Sequence, residues 1–228
     1  MIRGGSNDRG TTTRERLTRE RVVAAALAVV DRDGLERLTM RALGRELGVD
    51  PMAAYHHVPD KAAILQGVVE AILAEIPVPE PDMVMSWQDG LRRIARSHRR
   101  ALLAHPNALP VVSTQPPLTP ASLRLIEAAA ALLVRGGLTP MQTLQAINGA
   151  AALVIGSTQT EVGVTPGSEP IEQGTIESVY AGLTPDEFPI LAAIMASPEA
   201  QAIDSEHQFE DLLDAYVRGF AARIAANP

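Results

Sequence analysis

Residues 17–61 contain three helix starts and three helix stops, so this part of the chain can only form a small bundle of short helices. Leu17-Thr18 opens the first helix: Thr18 is a capping residue, and Leu17 can staple onto Val22. Val22, Ala25, Ala26, Val29 and Val30 then line one face at helical spacing, and Gly34 stops the run. Leu38-Thr39 repeats the start, with Leu38 facing Leu43, and Gly48 closes a shorter second helix. Asp50 caps a third helix with Pro51 at its first position, where a missing N–H costs nothing, and Pro59 closes it. Only Gly48-Val49-Asp50 joins the second helix to the third, which is a helix-turn-helix layout.

The rest of the chain is also helical in pattern. Residues 1–16 are polar, with scattered arginines, and read as a disordered basic arm. A longer helix starts at Asp60-Lys61 and runs through Ile76, with Ile64, Leu65, Val68, Ile72 and Leu73 on one side. The proline-rich stretch 77–83 breaks the chain. Ser86 then caps a helix to about His105, with Asp89 at the capping-box position. Residues 106–118 read as a loop with at most a turn of helix. Thr119-Pro120, Thr139-Pro140 and Thr184-Pro185 each place a cap before a proline and predict helices over about 120–135, 140–160 and 185–196. A long mobile loop is expected at about 161–183, and a last helix at about 206–226. No strand-like alternation of useful length is present. The fold class is therefore all-α, with a helix-turn-helix unit over 17–61 and a larger helical domain over 62–228.

Charge qualifies this picture. The net charge is −7, which by itself opposes a nucleic-acid partner. Residues 1–61, however, hold 11 Arg/Lys against 9 acids, while the remainder holds 9 against 18. A basic head on an acidic body is the asymmetry that phosphate binding uses. There is no cysteine, so disulfides and thiolate metal sites are excluded and a reducing compartment is compatible. No apolar run reaches the ~18–20 residues of a membrane span, and the first twenty residues have no apolar signal core. A cytoplasmic protein without a membrane partner is the expectation.

The stretch VDPMAAYHHVPDK (49–61) is rich in chemistry. Adjacent histidines on a helix diverge by about 100°, so His56 and His57 cannot chelate one ion as an i,i+4 pair would. Asp50 and Asp60 are explained as caps. No metal or cofactor is implied, and nothing at recognisable spacing supports nucleophilic catalysis. For nucleic acid the fit is better. The second helix of a helix-turn-helix offers its N-terminal side chains to base edges; here these are Pro51, Met52 and Ala53, with His56 one turn on. Arg41 can reach a guanine bidentately. Thr39, Tyr55, His57 and Lys61 are placed for phosphates, and Met40 lies between Thr39 and Arg41 in the same patch. The competing reading packs Tyr55 and His57 inside the small domain.

RLTMRALGRELGVDPMAAYHHVPDKAAIL (37–65) resembles the DNA-binding domain of the tetracycline-repressor family: Leu-Thr-x-Arg-x-Leu, then Leu-Gly-Val, then Tyr-x-His-Val-x-x-Lys. The resemblance continues through SWQDGLRRIARSHRRALLAHPNA (86–108), the helix after Thr139 and the last helix, covering about residues 17–226. It implies a homodimeric regulator, with Arg41 as the guanine contact, Thr39, Tyr55 and Lys61 near phosphates, and Pro51 to Ala53 and His56 at base edges. It also implies a small-molecule inducer that releases a double-stranded DNA operator. The positions that hold magnesium–tetracycline in the tetracycline repressors are here Val112, Pro77, Ile94 and His98, so the magnesium-ligating histidine is absent. A more apolar cavity is expected, lined by Ile72, Leu91, Ile94, His98, Leu102, Val112, Ile126, Gln145 and Asn148. At each apolar position plain core is the competing reading; His98, Gln145 and Asn148 need polar partners, from a ligand or from neighbouring helices.

Two helices are candidates for the dimer face. NGAAALVIGS (148–157) has small residues at close spacing, and the last helix carries Phe209, Leu212, Leu213, Tyr216, Val217 and Phe220. Burial of both faces within one chain is the alternative. The leading function is a ligand-responsive transcriptional repressor. A second class is an all-α small-molecule-binding protein without specific DNA binding, which would not need Arg41 or Lys61. A third is an enzyme using His98 or His105, for which no partner carboxylate or nucleophile is recognisable.

Overall fold

The computed structural model describes residues 16–78, 85–116, 118–163, 178–179, 181–198 and 204–226, and within them the regular structure is helical. The order is α1 (Arg19–Asp33), α2 (Met40–Leu47), a 3₁₀ helix (Pro51–His56), α3 (Lys61–Ala74), α4 (Trp87–Ala104), α5 (Leu109–Thr114), α6 (Pro120–Arg135), α7 (Pro140–Val162), α8 (Pro189–Met195) and α9 (Ser205–Ala225). Short 3₁₀ turns at Leu35–Arg37 and Pro106–Ala108 complete the set.

The starts follow the capping residues. Thr18, Thr39, Asp50, Asp60, Ser86, Thr119, Thr139 and Asp204 each accept a backbone N–H from the first turn with a side-chain oxygen. This satisfies donors that have no partner inside the helix. At Thr139 the box is reciprocal, because the Gln142 Oε1 accepts the Thr139 N–H at 2.8 Å.

In the head, α1 packs on both α2 and α3, and α2 packs on the 3₁₀ helix. Val22, Ala26, Val29 and Val30 of α1 meet Leu38, Leu43, Ala54 and Val58 in one buried cluster. The larger body sets α4 against α7, α6 and α9, with α3 running into it against α6, α4 and α5. Thus α3 belongs to both units.

Four expectations need correction. The reading helix is 3₁₀ rather than α, closed by Ala53 N–H to Asp50 O (2.9 Å) and His57 N–H to Ala54 O (3.0 Å). Six residues before a proline-restricted Val58 are too few to settle into α geometry. Residues 106–118 are not mainly loop: Leu109, Val111 and Val112 bury themselves and fold α5. Pro110 stands in its first turn, where it needs no N–H. The helix expected from 185 begins at Pro189, after a turn over 185–187. Finally, α7 runs on to Val162, past the expected start of the long loop. Most of that loop, residues 164–177, lies outside the described residues, as does the arm up to residue 15.

Candidate DNA-reading head and ligand cavity

Gly44 sets the geometry of the head. A Cβ there would lie 2.9 Å from the Pro51 Cα and 3.0 Å from the Val49 carbonyl oxygen, so α2 can touch the next element only through a bare Cα. Gly48, at φ 66°, turns the chain in the left-handed region that side chains avoid. These two residues bring α2 and the 3₁₀ helix together.

On the outer side of this unit Thr39, Arg41, Met52, His56, His57 and Lys61 are exposed, and Met40, Pro51 and Ala53 are half-buried. Met52 is 64% exposed. Arg41 and Lys61 form no ion pair among the described residues, so both cations are available. Lys61 stands at the first position of α3. The Thr39 hydroxyl oxygen accepts the Ala42 N–H at 3.1 Å, which leaves its own hydrogen for an outside acceptor. The Tyr55 side chain lies outside the described structure. His56 and His57 are both solvent-facing, so the packing alternative does not hold for His57. Among the described residues no group of three His, Asp or Glu could hold a metal ion.

In the body, α3, α4, α5, α6 and α7 enclose a cavity of about 420 Å³. Leu91, Ile94, His98, Val112, Ile126 and Asn148 line it together, six of the positions named from the sequence. Three others do not. Ile72 and Leu102 are wholly buried in the packed core, and Gln145 is exposed on the side of α7 facing α9, where its Oε1 accepts from Arg223. Pro77 is exposed outside the cavity. The sequence reading missed Val69 and Leu73 of α3, Ile76 just beyond it, and the α7 stripe Ile147, Ala151 and Ile155. Their i, i+4, i+7 or i+8 spacing was visible, but spacing marks a face without saying whether core or cavity lies beyond it.

The lining contains no Asp, Glu, Lys or Arg. Its one titratable group is His98, whose pKa burial pushes down to about 4, so the imidazole is neutral. His98 is half-buried and lines the cavity, and its Nε2 is enclosed without a hydrogen-bond partner. Ser122, also in the wall, is satisfied: its Oγ lies 2.8 Å from the Thr119 Oγ1. Asn148 sits where the wall is exposed, and Gln115 is half-buried.

The body has a second set of charges outside the cavity. On α4, Arg92, Arg96 and Arg99 meet Asp214, Glu210 and Glu206 of the antiparallel α9. Arg99 also pairs with Glu161 of α7 at 2.7 Å and stacks 4.9 Å over the Phe209 ring. These pairs hold α9 onto the bundle, and Phe209, Leu213, Val217 and Phe220 are buried against it within one chain. Their expected place in a dimer interface is therefore corrected. Among its apolar and small residues α9 leaves Leu212, Ala215, Gly219, Ala222 and Ala225 outside.

Comparison with known proteins agrees with this architecture. The family pattern described as "Bacterial regulatory proteins, tetR family" matches residues 22–68, and the one described as "Tetracyclin repressor-like, C-terminal domain" matches residues 79–224. An HTH-type transcriptional regulator of Saccharopolyspora erythraea is 32% identical over 154 residues, covering 68% of this chain and 65% of that protein. The repressor DrrR1 of Streptomyces coeruleorubidus is 30% identical over 186 residues, again with only 65% of its length matched. The crystal structure of Streptomyces coelicolor ActR in complex with actinorhodin superposes with a TM-score of 0.77 at 28% identity, over 91% of this chain and 97% of that one. With the glycine-tightened head, the shared α3 and the enclosed cavity all in place, the chain belongs to the tetracycline-repressor family.

Proposed function

We propose that this protein is a ligand-responsive transcriptional regulator: a homodimeric repressor that grips a palindromic double-stranded DNA operator and is released by an apolar small-molecule inducer. The observation that carries the reading is the double membership of α3. Its first residue, Lys61, stands on the exposed face of the head, and Val69 and Leu73 are cavity wall, as is Ile76 just past its end. A molecule filling the cavity presses on the same rigid rod that carries the head. Two reading heads must match half-sites about one DNA turn apart, so a small swing of that rod weakens binding. The ligand must favour one arrangement of the dimer over the other, since equal affinity shifts nothing.

Arg41 contacts a guanine; Met40, Pro51, Met52, Ala53 and His56 face bases; Thr39, Tyr55, His57 and Lys61 sit at phosphates. The protein acts in the cytoplasm, where the DNA is, and no described helix is long and apolar enough to cross a membrane. It is not an enzyme. The inducer differs from magnesium–tetracycline, because Val112 and Pro77 supply no imidazole. That ActR was crystallised with actinorhodin supports a small-molecule ligand for a body of this shape.

The test is a gel shift with the DNA upstream of the protein's own coding region, followed by release titrations. Specific retardation, insensitive to tetracycline with magnesium, is the expected result. No shift against that DNA at micromolar protein would leave only a small-molecule-binding protein. Magnesium-dependent release by micromolar tetracycline would overturn the account of the cavity.

A further inference from the structure

The cavity wall is apolar except at four places, and only one of them carries an enclosed polar atom without a hydrogen-bond partner. Ser122 already has Thr119 as its partner, and Asn148 lies on exposed wall. Gln115 is half-buried at the end of α5. His98 is different: Leu91, Ile94 and Ala95 of its own helix line the wall beside it, and its Nε2 is enclosed with nothing to bond. Such a group raises the energy of the empty protein, and a ligand that completes it recovers that cost.

We infer that His98 is the specificity-determining hydrogen-bonding group of the cavity, and that the ligand is an uncharged, largely apolar ring compound carrying a hydroxyl group placed against this imidazole. The inference rests on the ligand-responsive reading above and narrows its ligand class.

The chemistry runs as follows. A neutral imidazole has one nitrogen that donates and one that accepts. The torsion about the Cβ–Cγ bond is roughly two-fold, so the two ring orientations set different nitrogens towards the cavity. A hydroxyl group donates and accepts, and it satisfies His98 in either tautomer. A carbonyl group satisfies only the protonated nitrogen. A carboxylate would enter a wall with no cation, and the imidazole cannot supply one because burial holds it neutral near pH 7. The volume of about 420 Å³ suits a compact, drug-sized molecule.

The experiment uses three probes with one ring system: naphthalene, its hydroxymethyl derivative and its carboxylate. Each is measured by equilibrium dialysis against the full chain without DNA. The alcohol should bind about three- to tenfold tighter than naphthalene, the increment of one net hydrogen bond. The carboxylate should bind more weakly than both. H98F should erase the preference for the alcohol while naphthalene binds at least as well as before. H98N, which keeps a hydrogen-bonding group, should retain part of the preference. Circular dichroism melts accompany both variants. Should H98F not fold, H98N and the three-probe ranking on the parent protein carry the test. Equal binding of alcohol and naphthalene by the parent, survival of the preference in H98F, or tightest binding by the carboxylate would each overturn the inference. No saturable binding of any probe would overturn the cavity as a ligand site and the inference with it. The regulator reading is scored separately: if the free protein fails to shift its upstream DNA, that reading falls and the probe selectivity stands.

Discussion

His105 Nδ1 lies 2.9 Å from the carboxylate of Asp31, which ties the end of α4 to the last turns of α1. The other ring nitrogen, Nε2, is 2.9 Å from Glu75, the C-cap of α3. Asn107 adds a bond from its Nδ2 to the Asp31 carbonyl at 2.8 Å. One side chain of the body thus fastens the ends of both α1 and α3. Burial opposes charging this imidazole, but hydrogen bonds to Glu75 and Asp31 outweigh it and raise the pKa. A raised folded-state pKa means that the latch contributes fully below the unfolded value of about 6.5 and fades as pH rises through the folded value. The thermal stability gap between the parent and H105Q should be widest near pH ~6 and should narrow towards pH ~9. A gap that widens with pH would mean that the latch works with neutral imidazole.

Gly44→Ala should destabilise the head by about 1–3 kcal/mol, the usual cost of overpacking. The new methyl meets backbone atoms of Pro51 and Val49, which cannot rotate away as a side chain can. DNA affinity should fall with it, since the separation of α2 and the reading helix changes. Urea unfolding with gel shifts on the same variant checks both.

Arg41→Ala should weaken operator binding by ~1–3 kcal/mol and relax the preference at one guanine. Lys61→Ala should weaken all sequences alike and flatten the dependence on salt, because it meets phosphate. Both side chains are exposed, so neither change should alter folding. Arg41→Ala binding cognate and scrambled DNA as the parent does would reassign the head.

Burial decides which arginine of α4 matters for stability. Arg99 is 6% exposed and serves both Glu161 and Glu206, whereas Arg96 is 48% exposed. Arg99→Ala leaves the partly buried Glu161 without its cation and removes the stacking on Phe209, and should cost about 1–3 kcal/mol. Arg96→Ala breaks a solvated pair, although a bidentate one, and should cost below about 1 kcal/mol. Denaturant midpoints of the two variants test the contrast.

Light scattering should find a dimer at micromolar concentration. With Phe209, Leu213, Val217 and Phe220 already buried, the contact falls to the small residues left outside: Ala152 and Gly156 on α7, and Ala215, Gly219 and Ala222 on α9. Open space surrounds Gly156 and Gly219, so helices of a partner can approach closely there. Gly219→Arg should give a monomer with an unchanged helical circular dichroism spectrum. A dimer of undiminished strength would place the interface elsewhere.

The amino-acid sequence alone determined what is local. Thr18, Thr39, Asp60, Ser86, Thr119 and Thr139 announce helix starts because a cap needs only the next three residues to act. The helix-turn-helix was legible for the same reason: Gly48, Asp50 and Pro51 act within four positions, and the exposed Arg41 and Lys61 follow from its register, whereas the close approach at Gly44 showed only in the fold. The type of the reading helix was not legible, since α and 3₁₀ geometry differ little in so short a segment. Nor was α5, where apolar burial overrode a proline-rich, loop-like composition. The cavity was decided by tertiary structure. His98, Val69, Ile126 and Ile155 sit on four helices, and periodicity shows that each faces inward without showing where packing leaves a gap. Ile72 and Leu102 have the same apolar character as the lining residues and fall into solid core, because a cavity is space that several helices jointly fail to fill. The last helix makes the same point: its apolar stripe suited a partner or its own chain equally well, and the ion pairs of Arg92, Arg96 and Arg99 turned it inward.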